Sequence, residues 1–182
     1  SVGIEFELKM EDIRKGLAEL GGLDRRFKVK GERNGVLVID DYGHHPAEIS
    51  ATLETARECW PENRLVVVFQ PHRYSRTRAL YDRFVICFNQ ADVLIIAPIY
   101  PAGEEPIEGV NAEWLHHGIR EHGHKDVHLG KDPDGVLSLL LSIVRQGDRV
   151  ITLGAGDVHI IGDSLLERME QGAKVNPFPD DS

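Results

Sequence analysis

Residues 36–70 read VLVIDDYGHHPAEISATLETARECWPENRLVVVFQ, and the fold turns on this stretch. Its two ends, 36–40 and 65–70, are short apolar runs rich in β-branched residues. Such runs belong to strands buried on both faces, as in parallel sheets covered by helices. Between them Ile49, Leu53, Ala56 and Trp60 recur in helical register from Pro46 onward. The stretch therefore reads strand, helix, strand.

The alternation continues downstream. A helix around Leu80, Phe84 and Cys87 leads to a strand over 93–97. A helix near Trp114, Leu115 and Ile119 follows, N-capped by Asn111. A short strand over 127–129 leads to a helix opened by Asp132-Pro133, an N-cap followed by proline at the first helical position. A strand over 150–153 leads to a last helix through Leu165, Leu166 and Met169, and the tail over 176–182 is expected to fray. Upstream, 27–30 and 36–40 flank Asn34-Gly35, a dipeptide that favours a tight hairpin turn. Earlier still, 10–20 reads as a helix with Ile13, Leu17 and Leu20 on one face. The predicted fold is an α/β, Rossmann-like, mostly parallel sheet with helices on both faces.

Composition narrows the function. The 182 residues suit one main domain, and 41% hydrophobic with 28% charged residues is a globular balance. A net charge of −9 repels phosphate backbones and anionic lipid, which argues against nucleic-acid and membrane partners. Two cysteines, Cys59 and Cys87, make no disulfide scaffold and read as buried, reduced thiols. Neither a signal peptide nor an apolar run long enough to span a bilayer is seen, so a cytoplasmic location is expected.

In open α/β sheets ligands bind beyond the carboxyl ends of the strands. There the unusual residues gather: 40–46, 70–78, 98–105 and 154–157. Gly154-Ala155-Gly156 lacks the third glycine of a dinucleotide fingerprint and follows the last strand, so it reads as a strand–helix turn. No G-x-x-x-x-G-K-[ST] loop occurs. His116, His117, His122, His124 and His128 have no metal-ligand spacing and read as solvated surface residues. Arg73, Arg76 and Arg78 stand at a helix start, where cations oppose the macrodipole unless an anion or acid offsets them. That conflict points to an anionic ligand, for which paired guanidinium donors are suited.

Asp40-Asp-Tyr-Gly-His-His-Pro46, followed by Glu48, and Phe69-Gln-Pro-His-Arg-Tyr-Ser-Arg-Thr-Arg78 resemble two successive motifs in the C-terminal domain of the Mur ligase family. Tyr100-Pro-Ala-Gly-Glu-Glu-Pro-Ile107 and Gly154-Ala-Gly-Asp157 fall in the family's order. Arg25-Arg26-Phe27 resembles the junction of its central and C-terminal domains. The similarity runs over nearly the whole chain. Pro98, where an acidic residue is usual, and Ser75, in place of a usual threonine, depart from the pattern.

The resemblance implies an ATP-dependent amide ligase of peptidoglycan-precursor synthesis. ATP and magnesium would convert the carboxylate of UDP-N-acetylmuramate to an acyl phosphate, which the amine of L-alanine then attacks. It implies nucleotide contacts for Arg26 and Asp41, and an L-alanine site made by Tyr42, His44, Arg73 and Arg76, with the arginines on the carboxylate. No residue is implied as a metal ligand or as a catalytic group. Residues 1–24 would be a remnant of the central ATPase domain, its last strand and helix, and 25–182 the amino-acid-binding domain. Without the UDP-sugar and P-loop domains such a piece would be inactive alone. The competing reading is a stand-alone Rossmann-like module that binds a nucleotide or an amino acid without catalysis.

Overall fold

The computed structural model of the protein describes residues 25–173 and 175. The helix expected over 10–20, the domain remnant over 1–24 and the tail over 176–182 lie outside the described residues.

Six strands form one sheet in the order β1-β2-β6-β3-β4-β5. They are β1 (Lys28–Arg33), β2 (Val36–Asp41), β3 (Leu65–Phe69), β4 (Val93–Ile96), β5 (Val127–Leu129) and β6 (Arg149–Leu153). Only β1 runs antiparallel, joined to β2 through Asn34 (φ 51°) and Gly35 (φ 75°). Two successive positive φ values define the turn that matches strand twist, and asparagine and glycine are the residues that reach it cheaply. All other pairs are parallel. The helices are α1 (Pro46–Cys59), α2 (Tyr74–Ala79), α3 (Tyr81–Phe84), α4 (Ala112–Glu121), α5 (Pro133–Ile143) and α6 (His159–Glu170). None of the described helices is long and apolar enough to cross a membrane.

Alternate strand residues feed two cores. Ile39, Val67, Phe69, Ile96 and Ile151 pack against α1, α3 and α4 through Ile49, Leu53, Phe84, Leu115 and Ile119. Val38, Val68, Ile95 and Val150 pack against α5 and α6 through Val136, Leu140, Ile161 and Leu165. Each such side chain removed from water contributes about 1.5–3 kcal/mol, which fixes the sheet between two helical layers. The helix caps stand where the sequence places them. The Asn111 side chain accepts from the Trp114 amide at 2.7 Å, and Asp132 from Gly135 at 2.7 Å.

Three local expectations need correction. The helix around Leu80, Phe84 and Cys87 is two short helices, broken where Leu80 takes φ −112°, ψ 15° and its amide turns back to Arg76 and Arg78. Of the two thiols, both free, Cys87 is buried but Cys59 only half-buried. His116, His124 and His128 are not fully solvated: each is half-buried, and at His124 burial pushes the pKa below the ordinary 6.5, against the opposing pull of the Ala91 backbone, Asp126 and Asp92.

One feature of the topology creates the site. The β2–α1–β3 crossover leaves a gap one strand wide, and β6 fills it, pairing Ile151 with Ile39 on one side and Val67 on the other. Because β2, β6, β3 and β4 are parallel, their carboxyl ends lie on one edge. The loops that follow them open together there.

Candidate functional site

The first loop is anchored by charge. Asp40 is 1% exposed, and a carboxylate taken that far from water needs partners. It has the Nε of Arg25 at 2.8 Å and the Thr152 hydroxyl at 2.7 Å. The remaining Arg25 donors reach the carbonyls of Gly154 at 2.8 Å and Gly156 at 2.9 Å, so one guanidinium ties the first loop to the last. It also lies 5.3 Å from the centre of the Tyr42 ring. Asp41, 8% exposed, accepts from the amides of Phe27 and Gly43, each at 2.7 Å. Its carboxylate therefore fixes the turn that carries Arg26, whose own side chain is exposed. Of the two adjacent arginines, Arg25 serves the fold and Arg26 faces solvent.

Tyr42 is 39% exposed and meets His44 edge-on, with ring centres 5.4 Å apart. His44 Nδ1 lies 3.0 Å from the Tyr42 carbonyl, which holds the ring over the start of α1. His45 caps that helix. Glu48 reciprocates by accepting from the amides of His45 (3.2 Å) and His44 (3.1 Å). Burial works to raise the Glu48 pKa, but those amides and the charges of His44 and Arg26 outweigh it and hold the carboxyl below its ordinary value.

The second loop brings in the arginines. Arg73 takes φ 72°, ψ 134°, a backbone region that costs a residue with a side chain about 1–3 kcal/mol. It is held from both sides. Its amide donates to the Tyr100 carbonyl at 2.8 Å, and its own carbonyl accepts the Thr77 amide (3.1 Å) and hydroxyl (2.8 Å). Arg76 sends Nη1 to His72 Nδ1 at 3.2 Å. Since a guanidinium only donates, that nitrogen is the acceptor and His72 is a neutral ring protonated on Nε2. Burial first, then the charges of Arg76, His44 and Arg73, push its pKa below 6.5, with Glu104 pulling the other way. His72 stacks on Tyr100 at 5.5 Å and stands 5.8 Å from His44. Tyr42, His44 and Arg76 are thus brought into one row through His72. The Arg73 guanidinium is exposed at the head of α2.

The third loop alters the argument from helix charge. Glu104 accepts the Ser75 hydroxyl at 2.6 Å and the Ser75 amide at 3.0 Å, which holds its carboxyl below the ordinary value with Arg73 assisting. An acid therefore already offsets the start of α2. Arg76 and Arg78 occupy the last turn of this six-residue helix, where cations are favoured. The three arginines are less in conflict with the macrodipole than their spacing suggests. Their claim to an anion rests on location.

Gln70 closes the set by donating to Asp157 at 2.7 Å and accepting the Val158 amide at 3.2 Å. The Gly154–Gly156 turn is packed against Gln70 and Tyr100, so tightly that a Cβ on Gly156 would lie 2.7 Å from the Tyr100 ring. That close approach accounts for the glycine as part of a strand–helix turn. Among the described residues no group of three or more His, Cys, Asp or Glu is placed to hold a metal ion. His72, Tyr100, Glu104 and Arg25 were not singled out from sequence. All four lie in the segments that were, and only their contacts separate them from their neighbours.

The geometry has clear relatives. Residues 25–156 match the Mur ligase, glutamate ligase domain. The chain is 53% identical to a UDP-N-acetylmuramate–L-alanine ligase of Geobacter sulfurreducens over 94% of its length, and spans 37% of that protein. Among solved structures, the UDP-N-acetylmuramate–alanine ligase of Thermotoga maritima shares the fold with a TM-score of 0.67 at 24% identity, covering 93% of this chain and 35% of that one. A Yersinia pestis folylpolyglutamate synthase/dihydrofolate synthase, complexed with AMPPNP and a manganese ion, shares it with a TM-score of 0.56 at 20% identity, over 88% of this chain and 35% of that one. A family match across most of the sheet, carried on a site edge in which the quoted motifs come together, shows that the chain belongs to the Mur ligases, through their glutamate ligase domain.

Proposed function

We propose that the chain is the amino-acid-binding part of an ATP-dependent ligase that joins L-alanine to UDP-N-acetylmuramate, a cytoplasmic step in making peptidoglycan precursors. The observation that carries this reading is the row Tyr42–His44–His72–Arg76, with Arg73 beside it, on one sheet edge of a chain 53% identical to such a ligase. Arg73 and Arg76 take the alanine carboxylate. Tyr42 and His44 line the site on its other side. Arg26, carried on the turn that Asp41 fixes, faces the nucleotide. In this reading magnesium and the ATP phosphates are held by the rest of the ligase.

The chemistry asked of these residues is positioning and charge stabilisation. With its carboxylate gripped, alanine presents its amine to the acyl phosphate of the muramate; the C–N bond forms as the carbon–oxygen bond to phosphate breaks. Holding both partners makes the attack effectively unimolecular, an advantage of about 7–11 kcal/mol in well-aligned cases.

The test is a chimera in which the chain replaces the matching C-terminal segment of the Geobacter sulfurreducens relative. Phosphate release from ATP is expected only when UDP-N-acetylmuramate and L-alanine are both present. The chain alone should release none. A soluble chimera whose turnover ignores alanine would overturn the proposal, as would turnover by the chain alone.

A further inference from the structure

Behind the candidate site lies a cavity of about 430 Å³, on the side of the loops facing α5 and α6. Its walls include Pro98, Ile99, Leu137, Ile160 and Ile161, with Asp134 and Asp157 among the polar residues that border it. That volume is within the range of small-molecule pockets. Nothing in the alanine-site reading uses it.

Tyr100 borders both spaces. It lines the cavity, and its ring stacks on His72, with interplanar angle 13°, at the centre of the candidate site. Gly156 lies close against the same ring. The backbone beneath is pinned independently of the side chain: Arg73 donates to the Tyr100 carbonyl and Tyr100 donates to the Pro71 carbonyl, each at 2.8 Å.

We propose that Tyr100 is a specificity-determining residue, a partition that confines the site to a small amino-acid side chain by closing it off from the cavity. The proposal rests on the alanine-site reading above. With the ring removed, site and cavity merge. The enlarged pocket has apolar walls and two carboxylates at its border, so it admits larger apolar side chains and not acidic ones. Because the main-chain bonds at Tyr100 persist, the backbone of Arg73 stays in place, and alanine measured in the same variant is the reference against which leucine is read.

The experiment titrates L-alanine, L-leucine and L-glutamate into the isotope-labelled chain and reads the Arg73 and Arg76 side-chain signals together with the Leu137 and Ile161 methyl signals. In the parent, alanine shifts the arginine signals and leucine binds at least about tenfold more weakly, the scale of discrimination that a few methylenes give in a closed pocket. In Tyr100→Ala leucine comes to within about threefold of alanine, a relative gain of at least about threefold, and the methyl signals respond. Glutamate gains nothing. Tyr100→Leu, which keeps an apolar group against Gly156, is the second variant should the first fail to fold. If alanine binds and leucine gains nothing in a folded variant, or if leucine gains while the Leu137 and Ile161 methyl signals stay still, the partition is wrong while the alanine site stands. If the parent shifts no arginine signal with alanine, the reading and the partition fall together.

Discussion

At Arg73 the backbone and the side chain make opposite demands. The guanidinium is wanted at the head of α2, yet φ 72° is a value at which glycine alone is comfortable. Arg73→Gly should relieve about 1–3 kcal/mol of strain and return about 0.5–1 kcal/mol to chain entropy, for a net gain of about 1 kcal/mol in unfolding free energy. The same change should weaken alanine. In the chimera, loss of either Arg73 or Arg76 removes a charge-assisted bond of about 1.5–3 kcal/mol, roughly ten- to hundredfold in kcat/KM, most of it in the alanine KM because the carboxylate keeps its charge through the reaction. Arg76→Lys should recover only part, since an ammonium has no planar fork. Urea unfolding of the chain and steady-state kinetics of the chimera separate the two effects; a variant less stable and undiminished toward alanine would reverse the assignment. The neighbouring pair Arg25-Arg26 shows what sequence withholds at this scale. Two identical residues stand side by side, and only the positive φ of Arg25, with its bonds to the Asp40 carboxylate and to the Gly154 and Gly156 carbonyls, reveals which one is structural.

Inside α4 sits Gly118, where alanine would ordinarily stabilise a helix by about 1 kcal/mol. Here a Cβ would strike the Tyr81 hydroxyl and lie 2.9 Å from Val85 Cγ1. Tyr81 has little room to yield, because its ring is stacked on Trp114 at 3.9 Å. Overpacking of about 1–3 kcal/mol should exceed the helical gain, so Gly118→Ala is expected to lower stability by about 1 kcal/mol. A Tyr81→Phe background, lacking the hydroxyl, should soften the loss; a Gly118→Ala protein more stable than its parent to urea would refute the clash. Elements announced by chemistry at their ends were legible: Asn111 and Asp132 cap as their positions suggest, and Asn34-Gly35 makes its hairpin. The division into α2 and α3 was not. Leu80 and Phe84 keep a helical spacing of four across the break, so periodicity alone cannot see it. Glu104 was hidden for a similar reason, since its partner Ser75 is 29 residues away and belongs to another loop.

Across the whole molecule, strand count and direction could be read from alternating runs, but strand order could not. The insertion of β6 between β2 and β3 depends on which distant faces pack, and it is this insertion that brings Gly154 and Asp157 beside Arg25 and Gln70. The site is therefore as much a product of the global fold as of its motifs, and acid should weaken both. His72 and His124 lie on different loops, and each has its pKa pushed below 6.5 in the folded chain, by burial first. In the unfolded chain they titrate near the ordinary value, so as pH falls the unfolded state takes up protons first. Their stabilisation is complete above about 6.5 and is lost as pH falls through that value toward the native pKa values. Glu48 and Glu104 are held below 4.5, so their stabilisation is complete above that value and is lost only below it, in a separate and more acidic window. Urea midpoints measured in steps from pH 8 to pH 5 should hold steady and then decline as the histidine window is entered. In a His72→Gln, His124→Gln variant the midpoint starts lower, and the decline across this window should be shallower. Alanine binding should fade later, as the lowered folded-state pKa of His72 is reached, because a protonated His72 can no longer accept from Arg76. Parallel declines in parent and double variant would assign the slope to other groups, and alanine affinity that stays flat while the His72 ring signals titrate would remove His72 from the support of Arg76.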